Sequence, residues 1–130
     1  MNKKTIAILG AGSWGTALAI LAAKNGCQTL LWGHNPDHIA KLKHERQNQR
    51  YLPGHRFPNN LEVSSELADV AAFSKLILVS VPSHAFKNTL INLKPHVSDE
   101  LKIAWASKGF NPDNGSLLHE VVAEIFSLTR

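Results

Sequence analysis

Short apolar runs, each stopped by glycine, proline or a polar cluster, recur along the chain with longer stretches of helical spacing between them. The first run, Thr5–Leu9, is apolar without alternation and ends at Gly10, the pattern of a strand covered on both faces. Residues 14–25 carry apolar side chains all round and many alanines, which predicts a helix lying close against a sheet, with Gly26 ending it in a left-handed conformation. Gln28–Trp32 predicts a second strand. The segment "HNPDHIAKLKHERQNQ", 34–49, reads as a helix with a polar outer face, Asn35 as its N-cap and Pro36 at its first position. "YLPGHRFPNN", 51–60, is rich in turn formers and reads as a loop. Leu61–Ser64 gives a weak third strand and residues 65–72 a short helix. Residues 75–81, "KLILVSV", form the clearest strand, ended by Pro82. A helix over Ser83–Leu93, a fifth strand over 102–106 and an amphipathic helix over 116–126 complete the pattern.

Strands alternating with helices imply a parallel sheet with right-handed crossovers. The expected fold is therefore α/β: a doubly wound, mostly parallel sheet of the Rossmann type, with residues 1–130 forming one domain. Apolar residues make up 44% and charged residues 18%, ordinary values for a globular protein. Cys27 is the single cysteine, which excludes an intramolecular disulfide and a thiol-based zinc cluster, and fits a reducing compartment such as the cytoplasm. Lys3 and Lys4 precede an uncharged stretch, 5–23, in the manner of a signal peptide or a short membrane span. Gly10, Gly12 and Gly15 in its middle favour a buried strand, turn and helix instead, so no membrane span is expected.

The net charge of +4 suits anionic partners. The densest basic run, "KLKHERQNQR" at 41–50, is interrupted by Glu45 and lacks interleaved aromatics, so a solvated helix face is favoured over a nucleic-acid surface. His34 and His38 are four residues apart, but Pro36 puts His34 ahead of the helix and no third ligand is near, so no metal site is expected.

The chemistry lies in "ILGAGSWG", where Gly10, Gly12 and Gly15 have the G-x-G-x-x-G spacing between a strand and a helix. Gly10 would permit the tight turn, Gly12 would let a pyrophosphate approach the backbone, and Gly15 would let helix and strand pack closely. The N–H groups from Ser13 and Trp14 onward would then face phosphates, aided by the helix dipole. An NAD site carries an acidic residue about twenty positions further on. Here that count reaches Asn35, with His34 beside it. Neither repels a 2′-phosphate, so NADP is favoured over NAD, or both are accepted. Arg46, Arg50 and Arg56 could reach such a phosphate if the chain folds back. At the far strand ends, "VPSHAF" and "ASKG" place Lys108 at the rim of the cleft, where an ammonium could neutralise a phosphate or polarise a carbonyl.

The stretches "GAGSWGTALA" (10–19), "LWGHNPDHI" (31–39), "YLP" (51–53), "VPSHAF" (81–86) and "ASKG" (106–109) together resemble the amino-terminal domain of bacterial NAD(P)-dependent glycerol-3-phosphate dehydrogenase. The resemblance covers the whole chain. It implies reduction of dihydroxyacetone phosphate to sn-glycerol 3-phosphate by NADPH or NADH, for phospholipid synthesis. It implies that Ser13 and Trp14 contact the cofactor phosphates, His34 the adenosine end, and that Phe86 packs near the cofactor. Lys108 would touch both cofactor and substrate. The family continues past residue 130 with a helical domain that holds the general-acid lysine, so no catalytic residue is expected in this chain, which should bind cofactor without turnover. A homodimer is implied for the full-length enzyme. Two other readings stay open on the residues: a dehydrogenase of another family on the same fold, and a non-catalytic NAD(P)-sensing module.

Overall fold

The structure, a computed structural model, describes residues 4–81, 83–97 and 102–105. Its elements run β1 (Thr5–Leu9), α1 (Ser13–Lys24), β2 (Gln28–Trp32), α2 (Pro36–Glu45), β3 (Gln47–Asn48), β4 (Leu52–Arg56), β5 (Leu61–Ser64), α3 (Leu67–Phe73), β6 (Leu76–Val79), α4 (Ser83–Leu93) and β7 (Lys102–Trp105), with a single 3-10 turn at Lys94–His96. Five strands form one sheet in the order β5-β2-β1-β6-β7. Every pairing in it is parallel, with Ile8 opposite Leu31 on one side and Leu78 on the other. The chain winds outward from β1 first to β2 and β5, then crosses to β6 and β7, which puts the reversal of strand order between β1 and β6.

Successive residues of a strand point to opposite faces, and here both faces are covered. Ala7, Leu9, Leu30, Ile77 and Val79 pack with Val70 of α3 and with Leu90 and Leu93 of α4. Ile8, Leu31 and Leu61 pack with Ala19, Ile20 and Ala23 of α1 and with Ile39 and Leu42 of α2. This is why the strands read as unbroken apolar runs. Each fully buried leucine or isoleucine in these layers is worth about 2–3 kcal/mol of transfer free energy. The alanines on α1 let its backbone lie close to β1 and β2. Helix α1 ends as the sequence predicts: Gly26 has φ +96°, and the N–H groups of Gly26 and Cys27 donate to Ala23 O and Ala22 O.

Several elements differ from the sequence reading. Helix α2 stops at Glu45 rather than continuing to Gln49, because Arg46 takes a left-handed conformation with φ 56°. Its N–H donates to Leu42 O, while its guanidinium donates to Pro58 O at 2.8 Å and lies over the Phe57 ring. The chain then forms β3, and residues 52–56, read as loop, form β4 antiparallel to it with Gln47 opposite Arg56 and Asn48 opposite Leu52. The turn formers are real but sit inside the ribbon: Pro53 and Gly54, the latter at φ +85°, occupy the exposed strand β4. Helix α3 begins at Leu67 rather than at 65, since Ser64 Oγ accepts from Glu66 N and donates to Asp69 Oδ2, holding the chain extended before it. Residue 106 and the helix expected over 116–126 lie outside the described residues. Among the described residues no helix is long and apolar enough to cross a membrane.

Candidate cofactor cleft

The turn after β1 is built by three glycines for three different reasons. Gly10 has φ +115°, and a Cβ there would lie 2.7 Å from the carbonyl oxygen of Ser80. Its N–H donates to Trp32 O at 2.7 Å, and Ser80 N donates to Leu9 O, so the turn is fastened to β2 and β6 at once. A Cβ on Gly15 would overlap the carbonyl oxygen of Gly10. A Cβ on Gly12 would meet nothing within 4 Å. The first and third glycines are required by the protein's own backbone, whereas the second keeps an open space open. A fourth, Gly33, was given no task of its own by the sequence reading: a Cβ there would press on Ile39 Cδ1 at 2.9 Å and on Ala11 Cβ at 3.0 Å. It lets the end of β2 pass beneath the turn.

Helix α1 starts from Gly12 with no side-chain cap and no acidic residue in its first turn. Helix α2 is capped by its own Asn35, whose Oδ1 accepts from Asp37 N at 2.9 Å and His38 N at 3.2 Å. The two helix starts are thus differently equipped: one is closed by a side chain, the other presents its positive end to the space beside Gly12.

That space is a cleft of about 1100 Å³ at the carboxyl ends of β1, β2 and β6. Gly10, Gly12, Trp14 and Gly15 line one part of it, and His34, Asn35, His38, Arg50 and Tyr51 another. Among its described lining residues there is no carboxylate, and Arg50 is a permanent cation. The Arg50 guanidinium lies 5.0 Å from the centroid of the Tyr51 ring, whose other neighbour is the His38 ring, edge-on at 5.5 Å. Two buried polar atoms on cleft-lining residues, Trp32 Nε1 and Ser80 Oγ, have no hydrogen-bond partner among the described residues. Buried donors and hydroxyls are nearly always satisfied, so a polar occupant suits this wall.

The sequence-predicted residues fall as follows. Gly10, Gly12, Gly15, Trp14, His34 and Asn35 come together around the cleft; Trp14 is 49% exposed. Ser13 opens α1 beside them and is exposed, outside the cleft wall. The backbone of Phe86 lies in α4, whose Ala85, Asn88, Thr89 and Asn92 line the cleft. The side chain of Phe86, and Lys108 altogether, lie outside what the structure describes. Of the three arginines that depended on the chain folding back, the β3–β4 ribbon brings Arg50 to the cleft. Arg46 is engaged with Pro58 and Phe57 instead, and Arg56 stands in β4. Asn48, buried beneath the glycine turn, is a further residue that sequence reasoning missed.

A wholly parallel sheet with helices on both faces, a glycine turn at its switch point and an anion-friendly cleft define an open α/β domain of the Rossmann type. Within that class the chain belongs to the family described as NAD-dependent glycerol-3-phosphate dehydrogenase N-terminus, which it matches over residues 5–130. It is 51% identical over 123 residues to glycerol-3-phosphate dehydrogenase [NAD(P)+] of Haemophilus influenzae, covering 95% of this chain and 37% of that protein. The enzyme of the same name from Pseudoalteromonas translucida is 50% identical over 119 residues, covering 92% and 36%. The crystal structure of glycerol-3-phosphate dehydrogenase from Coxiella burnetii superposes with a TM-score of 0.90 at 42% identity, over 95% of this chain and 38% of that one. The chain therefore spans little more than a third of the length of the relatives it matches. The arogenate dehydrogenase of Synechocystis shares the fold alone, with a TM-score of 0.68 at 17% identity.

Proposed function

We propose that this chain is the cofactor-holding part of an NAD(P)-dependent glycerol-3-phosphate dehydrogenase that reduces dihydroxyacetone phosphate to sn-glycerol 3-phosphate. The observation that carries the reading is Gly12: it is the one glycine of the turn whose missing side chain serves no protein contact, and it borders the cleft. The pyrophosphate of a dinucleotide fits there, against the uncapped start of α1. When bound, the nicotinamide supplies the hydride, and the protein's task is to orient it and shield it from water. Gly10, Gly12 and Gly15 shape the cradle. Ser13 and Trp14 stand at the start of α1, and Phe86 on α4 would pack against the cofactor from the opposite wall. Lys108 follows β7, whose carboxyl end lies on the same edge of the sheet as those of β1 and β6, and would neutralise charge on cofactor and substrate. A helical second domain of the family's kind would bring the general acid and the substrate-phosphate contacts. The same reading places the enzyme in the cytoplasm, where a lone thiol such as Cys27 stays reduced, and makes the full-length form a homodimer.

NADPH is the preferred cofactor on this reading. His34, Asn35 and Arg50 border the end of the cleft beyond β2, no described carboxylate stands there to take a ribose 2′-hydroxyl, and Arg50 can pair with a 2′-phosphate. Calorimetric titration of the chain with NADPH and NADH in parallel tests it, with tighter binding of NADPH expected. Arg50→Ala should weaken NADPH about tenfold, the loss of one charge-assisted contact, and leave NADH nearly unchanged. Tighter NADH binding would sink the preference; no binding of either by a folded chain would sink the cofactor reading itself.

A further inference from the structure

The side chain of Asn48 is fully buried, and all of its hydrogen-bonding capacity is used by four groups from three parts of the chain. Its Nδ2 donates to Ala11 O at 3.0 Å and to Thr16 Oγ1 at 2.9 Å. Its Oδ1 accepts from Tyr51 N at 3.2 Å and meets His38 Nε2 at 3.3 Å. The orientation of the carboxamide follows from its partners, since a carbonyl oxygen can only accept and a backbone N–H can only donate. His38 Nε2 must then carry a proton. No apolar contact accounts for a polar residue here; the amide is a four-way tie.

What it ties matters for the cleft. Ala11 is the residue between Gly10 and Gly12, and Thr16 sits in the first turns of α1. In a planar trans peptide the carbonyl and the N–H point in opposite directions. Asn48 draws the Ala11 carbonyl toward itself, so it turns the Gly12 N–H away, and Gly12 borders the cleft whereas Asn48 does not. The same carboxamide fixes the backbone of Tyr51 and the ring of His38, which border the cleft beyond β2 together with Arg50. We infer that Asn48 is a positioning residue for the dinucleotide, setting the Ala11–Gly12 peptide that receives the pyrophosphate and coupling it to the Arg50–Tyr51 side of the same cleft. This rests on the cofactor reading above.

The test is a set of NADPH titrations, each paired with a thermal unfolding curve, on Asn48→Ala, Thr16→Val, Thr16→Ser and the double variant Asn48→Ala with Thr16→Val. Asn48→Ala is expected to weaken NADPH at least tenfold. Thr16→Val, nearly isosteric, removes one acceptor and should weaken it about threefold, while Thr16→Ser keeps the hydroxyl and should restore wild-type affinity. The double variant should bind no more weakly than Asn48→Ala, because the Asn48–Thr16 contact is already gone. Val70→Ala, a core change on the other face of the sheet, lowers stability and should leave the dissociation constant at the wild-type value. If Asn48→Ala and Thr16→Val lower the melting temperature but bind NADPH as the wild type does, Asn48 is a structural residue only and the inference fails while the cofactor reading stands. A wild-type chain that binds no dinucleotide overturns both.

Discussion

Gly15→Ala is expected to lower the melting temperature of this chain by about 10 °C and to abolish dinucleotide binding, as read by circular-dichroism melting and calorimetry. The added methyl group would overlap the carbonyl oxygen of Gly10, and neither partner can retreat. Gly10 is fixed from two sides, by its N–H bond to Trp32 O and by the Ser80 backbone that already stands where a Cβ would go. Helix α1 is fixed by Ala19, Ile20 and Ala23, which are packed with Ile8 and Leu31. Relief would require lifting the helix from the sheet or unpinning the turn. Overpacking of this kind, with backbone on both sides, costs about 3 kcal/mol, a large share of the roughly 5–15 kcal/mol by which domains of this size are stable. A Gly15→Ala chain that melts within about 2 °C of the wild type would mean that α1 can slide along β1, and that the turn is not the rigid element described here.

The parts of the fold legible in the sequence are those where local pattern and tertiary burial coincide. Ile8 and Leu31 face one helical layer while Leu9 and Leu30 face the other, so β1 and β2 could only be continuous apolar runs. The order of alternating elements then implied the doubly wound sheet. The ribbon was illegible for the opposite reason. Strand β3 has two residues, its buried member is the polar Asn48, and β4 is almost wholly exposed, so neither shows a hydrophobic alternation. The end of α2 was hidden as well, because the left-handed position that stops it holds Arg46, not the glycine or asparagine that normally marks such a site. Without the ribbon in view, Arg50 could be brought to the cleft only conditionally and Tyr51 not at all. Arg50 and Tyr51 reach it only because β3 and β4 turn the chain back over α1, a long-range event with no local sequence signal. The backbone tasks of Gly10 and Gly15 were legible, since backbone sterics operate over a few positions and are written in residue type.

Gly12→Ala separates those tasks. The backbone of Gly12 is extended, at φ −81° and ψ −168°, a conformation open to any L-residue, and the added methyl group would touch no protein atom. Stability should fall by about 1 kcal/mol or less, a shift of roughly 3 °C, the cost of replacing a glycine N-cap by alanine where no side-chain cap is lost. Binding should behave otherwise. The methyl would stand in the cleft beside the first turn of α1, and a pyrophosphate held against those N–H groups would have to move outward, losing charge-assisted hydrogen bonds worth about 3 kcal/mol. An affinity for NADPH and NADH lower by about a hundredfold, with a melting temperature within a few degrees of the wild type, is therefore expected. The pair of variants is the sharper test than either by itself: Gly15→Ala should lose much stability together with binding, Gly12→Ala chiefly binding. Wild-type affinity in Gly12→Ala would mean that the phosphates do not cross the turn at this residue, and the open space beside Gly12 would then need a different occupant.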